Sequence, residues 1–195
     1  MGYAIAEAAL AEGNDVTLIS GPASLEPPHN TNLISVSTSD EMFEAVHRHA
    51  DECDICVLCA AVADYKPANA SAIKIKKHGA QFSLELIPTR DILDSLGHKQ
   101  DRQFVLVGFA AETDHVQKNA AKKLRSKNCD IIVANDVSAA DSGMESDVNE
   151  VIILFRDGAK KKISRAPKRI IARELVKIFS YFATKTFDKK NGVIN

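Results

Sequence analysis

Three short polar stretches carry the side chains best placed for chemistry. AAVADYKP (60–67), GFAAET (108–113) and ANDVS (134–138) each follow an apolar run. Asp64 stands among small residues that let a ligand approach the backbone. A carboxylate there either holds ribose hydroxyls or a magnesium ion, or bonds its own turn; position alone favours neither. Lys74, Lys76 and Lys77 lie in KIKK, and Lys74 and Lys76 would share one face of a strand. Paired ammonium groups hold phosphate oxygens as point charges, and they also guard exposed strand edges against aggregation. Glu112 closes the second stretch, with Thr113 or Asp114 positioned to cap a helix whose N-terminus would attract anions. Lys123 and Lys127 fall one turn apart on that helix, either toward a ligand or on a solvated face. Asn135 ends a strand, where its amide reads a ligand edge or caps the backbone.

The elements that must position these residues alternate. Residues 3–12 predict a helix closed by Gly13, and Asp15–Ser20 a buried strand. Leu33–Val36 reads as a short strand. Thr38 and Glu41 then form a capping box for a helix that buries Met42, Val46 and Ala50. Ile55–Cys59, Phe104–Phe109 and Ile131–Ala134 are continuous apolar runs, which suits parallel strands covered on both faces. Ile73–Lys77 and Phe82–Ile87 predict a pair of exposed strands around His78-Gly79. Helices are predicted at Asp91–Leu96 and from Asp114 to Lys127. Asn149–Phe155 and Lys160–Ile163 flank Asp157-Gly158 as a hairpin. Pro167 opens a last helix with Ile171, Leu175, Ile178 and Phe182 along one face, followed by a polar tail. The expectation is one α/β domain over residues 1–195: a Rossmann-like open, mainly parallel sheet with helices on both faces and a small β-hairpin extension. Such sheets bind ligands at the carboxyl ends of their strands. A doubly wound fold normally opens with a strand and a glycine-rich turn; this sequence opens on the helix, so that first strand is expected to be missing.

Composition narrows the function. The 195 residues carry 25 basic and 26 acidic side chains. Near-neutral charge gives no field for nucleic acid or an acidic membrane surface. The longest apolar runs are too short to span a bilayer, and a cytoplasmic protein is expected. Cys53, Cys56 and Cys59 are spaced like metal ligands, but residues three apart on a strand point to opposite faces, so buried free thiols are expected. No GxGxxG, P-loop, HExxH or GxSxG motif is present.

Taken in order, VTLISGPASL (16–25), AAVADYKP, KIKK, GFAAET, ANDVS and SDVNEV (146–151) resemble phosphopantothenoylcysteine synthetase, through most of the chain. In bacteria that domain usually follows an FMN-dependent phosphopantothenoylcysteine decarboxylase in one bifunctional chain. The resemblance implies a ligase of coenzyme A biosynthesis, active on 4′-phosphopantothenate, L-cysteine and a nucleoside triphosphate. The nucleotide is first transferred to the carboxylate with release of pyrophosphate; the cysteine amine then displaces the monophosphate. The GFAAET form implies CTP rather than ATP, with Mg2+ sharing the triphosphate charge. It further implies that Lys74, as the catalytic lysine, contacts the nucleotide together with Lys123 and Lys127. Asp64 would lie near the ribose or metal, with Ala60, Ala61 and Phe109 lining the nucleotide site. Asp91 and Ile92 map near the base, and Gly2, Ala111, Glu112 and Asn135 to the substrate. A homodimer is implied as well. Two departures stand out: the family's SSGKMG turn is represented only by Met1-Gly2, and its Asn-Pro before Asp91 is here Thr89-Arg90. The first leads to the expectation of a poor ligase unless a strand and turn are supplied. The rival readings are an NAD(P)-dependent reductase and a non-catalytic nucleotide-binding subunit needing a partner chain.

Overall fold

Five strands with long apolar stretches organise the structure, a computed structural model that describes residues 1–69, 71, 73–76, 83–112, 114–136 and 147–190. They are β3 (Ile55–Leu58), β6 (Val105–Glu112), β7 (Ile131–Asp136), β8 (Val148–Phe155) and β9 (Lys160–Pro167), in the spatial order β3-β6-β7-β8-β9. The first three are parallel, and β8 and β9 add antiparallel to the β7 side. β1 (Thr17–Ser20) and β2 (Asn32–Ser35) form a separate parallel pair. β4 (Tyr65–Pro67) and β5 (Leu86–Pro88) form a small antiparallel pair.

Strand alternation splits the core in two. Val105, Val107, Ile131 and Val133 face α1 (Gly2–Ala11) and α5 (Lys168–Lys190), packing against Ile5, Ile171, Leu175 and Phe179. Leu106, Ile132 and Ala134 face the opposite way, onto Val46 of α2 (Ser39–His49), Leu96 of α3 (Ile92–Gly97) and Leu124 of α4 (Val116–Ser126). Successive residues of a strand point to opposite faces, so continuous apolar runs are what a sheet sandwiched between helices demands. The expected architecture is therefore present, with helices on both faces and a parallel core.

Local signals held where the chemistry was local. Thr38 Oγ1 accepts the Glu41 amide at 3.1 Å, and the Glu41 carboxylate accepts the Thr38 amide at 3.3 Å. Gly13 and Gly158 take the left-handed conformation at the end of α1 and in the β8–β9 turn.

Four expectations need correction. The hairpin extension is built from β4 and β5, so Ile73–Lys76 is not one of its arms. Ile73 and Ile75 are 81 % and 60 % exposed, so nothing among the described residues covers the apolar face that alternation with lysine would give this stretch. Lys77, His78, Gly79 and Phe82 lie outside the described residues. GFAAET is not a loop through Glu112, because β6 continues to that residue and pairs Ala111 with Asn135 and Glu112 with Asp136. The residue capping α4 is His115, in a left-handed conformation with no side-chain bond, rather than Asp114; Thr113 lies outside the described residues. Helix α5 runs on to Lys190, through the first part of the expected tail; residues 191–195 lie outside the described residues. Its buried stripe is Ile171, Ala172, Leu175, Val176, Phe179 and Ala183, with Ile178 and Phe182 at the margin.

Candidate functional site

The carboxyl ends of β1 and β3 and the amino end of α1 meet at one place. Tyr3 Oη and Ser20 Oγ are hydrogen-bonded at 2.9 Å, and a Cβ on Gly2 would stand 3.8 Å from that of Cys59. A cavity of about 990 Å³ opens there and extends down between β1 and β3. Its mouth is lined by Gly2, Ser20, Gly21, Ala60, Asp64, Thr89, Arg90, Asp91, Ile92, Phe109 and Lys123. Brought together from the expected set are Gly2, Ala60, Asp64, Asp91, Ile92, Phe109 and Lys123. Ala61 is exposed beside Ala60 but does not line the cavity, and neither do Lys74, Lys127, Ala111, Glu112 and Asn135.

Asp64 is exposed at the rim. Its carbonyl accepts the Thr89 amide at 2.9 Å, and Thr89 Oγ1 donates to the Ala63 carbonyl at 2.6 Å, so the loop is pinned through its backbone. Among the described residues its carboxylate has no hydrogen-bond or ion-pair partner. The turn-capping role that its position allowed is thus not taken up, and both oxygens are free for a ligand. A carboxylate at the end of a pinned loop suits a magnesium–triphosphate, since Mg2+ usually takes one or two carboxylates and keeps waters and phosphate oxygens. No group of three metal-ligating side chains occurs among the described residues.

Lys123 reaches from α4 to the other side of the mouth, where its ammonium donates to the Phe109 carbonyl at 3.0 Å. That bond uses one of three donors and fixes the charge at the strand end. Lys127, one turn on, points elsewhere. It is held by Asp91 at 2.9 Å and Asp94 at 3.2 Å. Asp91 also caps α3, its Oδ1 accepting the Asp94 amide at 2.8 Å. Partial burial pushes the Asp91 carboxyl up, but the Asp94 amide and the Lys127 ammonium outweigh it and hold the group below the usual range. Lys127 is raised, first by its bond to Asp91.

Sequence reasoning missed the group around Arg90. The Arg90 guanidinium lies 3.9 Å over the Phe43 ring, which stacks on His47 at 3.9 Å. It pairs with Glu44 at 2.7 Å and Asp40 at 3.4 Å, while Lys66 also bonds Asp40. An arginine without the fixed turn of proline is free to stack, so α2 and the Thr89-Arg90 loop are clamped by charge and by the ring face. The signal available was a half-buried Phe43 and an exposed Glu44 side by side on an amphipathic helix, which gives no hint of a partner 46 residues away from Glu44.

The cysteines divide by face. Cys53 and Cys56 pack on the α2 side, whereas Cys59 lies beside Gly2 at the α1 end. The neighbouring Cys53 thiol and burial push Cys56 well up, and Cys53 is lowered in turn by its bond to Cys56.

The family described as "DNA/pantothenate metabolism flavoprotein C-terminal domain" matches residues 1–181. The chain is 43 % identical over 190 residues to the coenzyme A biosynthesis bifunctional protein CoaBC of Bacillus subtilis, covering 97 % of this chain and 47 % of that protein. The CoaBC of Haemophilus influenzae is 42 % identical over 176 residues, with 90 % and 44 % covered. The chain thus spans about half the length of the curated relatives it matches. The crystal structure of the C-terminal domain of CoaBC superposes with a TM-score of 0.77 at 36 % identity, over 95 % of this chain and 82 % of that one. A Cab2 mutant in complex with phosphopantothenate-cysteine shares the fold, with a TM-score of 0.64 at 17 % identity over 83 % of this chain and 56 % of its own.

Proposed function

Because the chain belongs to the DNA/pantothenate metabolism flavoprotein C-terminal domain family and is homologous to the C-terminal part of CoaBC, we propose that it carries the phosphopantothenate–cysteine ligase step of coenzyme A biosynthesis, with CTP and Mg2+. The observation that carries the reading is the cavity mouth. It places the unengaged Asp64 carboxylate, the Lys123 ammonium and the amino end of α1 around one space at the strand ends. These are the groups a triphosphate needs: a cation on one side, a carboxylate for the metal on the other, and helix N–H groups between.

The chemistry follows from charge. A carboxylate repels an attacking amine, so the phosphopantothenate carboxylate must first be made an acyl-nucleotide, with pyrophosphate leaving. The cysteine amine then attacks the acyl carbon and the nucleoside monophosphate departs. In this reading Lys123 neutralises charge that builds on the departing phosphates, and Lys74, on the exposed stretch before β5, adds a second point charge. Lys127 acts through Asp91, which it holds at the start of α3 beside Ile92 and the base. Ala60 and Phe109 shape the nucleotide pocket, with Ala61 in the exposed loop at its edge. Gly2, Ala111, Glu112 and Asn135 serve the phosphopantothenate side. The reading includes a homodimer, and in the family the domain is often fused to an FMN-dependent phosphopantothenoylcysteine decarboxylase.

Thermal unfolding with Mg2+ and each of CTP, ATP and NADPH tests it. A ligand confined to the folded state at about 100 times its dissociation constant adds roughly 2.7 kcal/mol, which is a clear shift in Tm. The expected order is CTP above ATP, with no shift for NADPH. Equal shifts for CTP and ATP would remove the base specificity, and a shift with NADPH alone would point to a reductase.

A further inference from the structure

The β4–β5 pair carries Asp64 at its head, yet it has little buried surface to hold it in place. Of its six residues only Lys66 is not exposed. Tyr65, Leu86 and Ile87 are large, apolar and exposed. A two-stranded pair without a buried face is marginal in water, so its placement depends on contacts with the rest of the molecule. Its two arms each send one cation to the same carboxylate. Lys66 of β4 bonds Asp40 Oδ2, and Arg90, just beyond β5, has its Nε 3.4 Å from Asp40 Oδ1. Arg90 Nη2 also donates to the Asp40 carbonyl at 3.4 Å, and Glu44 and the Phe43 ring hold the same guanidinium from further along α2. Asp40 itself sits in the first turn of α2, where the Thr38–Glu41 capping box fixes the start of the helix. The bond from Lys66, aided by the Lys66 and Arg90 charges, outweighs desolvation and holds the Asp40 carboxyl below the usual carboxylate range.

The two cations bracket the bond that sets Asp64. Asp64 stands two residues before Lys66 and Thr89 one before Arg90, and the Asp64 carbonyl accepts the Thr89 amide at 2.9 Å. Thr89 Oγ1 closes the same junction on the Ala63 carbonyl at 2.6 Å. We propose that Asp40 is a positioning residue: holding Lys66 with one carboxylate oxygen and Arg90 with the other, it docks the β4–β5 pair on α2 and so places the Asp64 carboxylate for a magnesium–triphosphate. The inference rests on the proposed reading for the role of Asp64, and adds to it the group that sets where that carboxylate stands. A single exposed ion pair contributes little, but a carboxylate shared by two cations, one of them also over a ring face, is a network, and losing Asp40 frees both arms together. A metal-binding carboxylate that wanders loses affinity for the metal even where the fold survives.

The test compares Asp40→Asn, Asp64→Asn and the double variant in the full chain. Amide exchange at Thr89 should speed about fivefold in Asp40→Asn, while exchange at Val105 and Leu106 in the main sheet stays as it was. Titration calorimetry with CTP is run in Mg2+ and again in EDTA. Asp40→Asn should weaken binding about fivefold in Mg2+ and leave it within about twofold in EDTA, because Asp64 acts through the metal. The double variant should bind no more weakly than Asp64→Asn alone, because Asp40 acts through that residue. Unchanged exchange at Thr89 overturns the proposal, and so do equal losses with and without Mg2+ or additive losses in the double variant. A loss in Asp64→Asn without one in Asp40→Asn overturns it too, and leaves the proposed reading standing. Mg2+-dependent affinity unchanged in both single variants, with Thr89 exchange still faster, would remove Asp64 from the proposed reading and the positioning role with it.

Discussion

Three lysines of similar sequence standing come to different fates. Lys123 sits at the cavity mouth on the Phe109 carbonyl, Lys127 is engaged by two aspartates, and Lys74 lies exposed away from the cavity lining. Lys123→Ala is expected to weaken CTP binding about tenfold by removing a charge-assisted contact, and Lys74→Ala by less, each changing fold stability by within about 0.5 kcal/mol. Isothermal titration with urea unfolding on the same samples checks both; unchanged CTP affinity in Lys123→Ala would detach that residue from the site. The Asp91–Lys127 pair gives a pH signature. Asp91 is lowered on folding, so its contribution is complete above about pH 4 and is lost as pH falls through its folded value. Lys127 is raised, so its contribution is complete below about pH 10 and is lost as pH climbs through its folded value. Urea midpoints from pH 2 to 5 should show a smaller acid loss in Lys127→Met than in the unaltered chain. The lysines and aspartates were legible as residue types. Their pairing was not, because it depends on α3 and α4 meeting end to end, and no pattern within either helix encodes that.

That meeting is an element-scale event, and its cause is Gly97. A Cβ at Gly97 would stand 1.8 Å from the Lys127 carbonyl oxygen, so the last turn of α3 touches the backbone at the end of α4. Asn128, in a left-handed conformation, then donates its side-chain amide to the Gly97 carbonyl at 2.6 Å. Gly97→Ala must push the two helix ends apart and should cost about 1–3 kcal/mol in urea unfolding. It should also blunt the acid signature of Asp91, which a simple loss of packing would leave intact. Elements whose signals are contiguous, such as the Thr38–Glu41 capping box, the Asp157-Gly158 turn and the apolar strands, were readable. The β4–β5 pair was not, because its arms are three residues each and lie 18 residues apart, so hairpin logic settled on the nearer alternating lysines. The extent of β6 was missed for a related reason: small residues in GFAAE look like a loop until β7 supplies their ladder partners.

Across the whole molecule, stability and ligand chemistry sit at opposite ends of the parallel strands. The carboxyl ends of β1 and β3 open into the cavity. The amino ends of β6 and β7 are closed by Asp130, which accepts from Arg102 at 2.9 Å and from the Leu106 amide at 2.8 Å, with Arg156 3.5 Å from its other oxygen. Asp130 and Arg102 are only 13 % and 10 % exposed, so this is an ion pair largely removed from water. Arg156 also reaches the Asn128 and Cys129 carbonyls at 2.7 and 3.2 Å, tying the β8 end to the β7 start. Removing one partner of a shielded pair leaves the other charge uncompensated, at a cost of about 3 kcal/mol or more. Asp130→Ala would strand Arg102 and leave the Leu106 amide without its acceptor. It should therefore lower stability by about that amount while leaving CTP affinity, measured well below the unfolding transition, within about twofold of the unaltered chain. Lys123→Ala should do the reverse. Nearby Cys129 provides an independent readout: burial pushes its thiol up to about 12, so it reacts with thiol reagents only through opening of this end. Loosening by Asp130→Ala should speed that reaction, and Lys123→Ala should not. A loss of CTP affinity in Asp130→Ala matching its loss of stability would show that the two ends act as one unit.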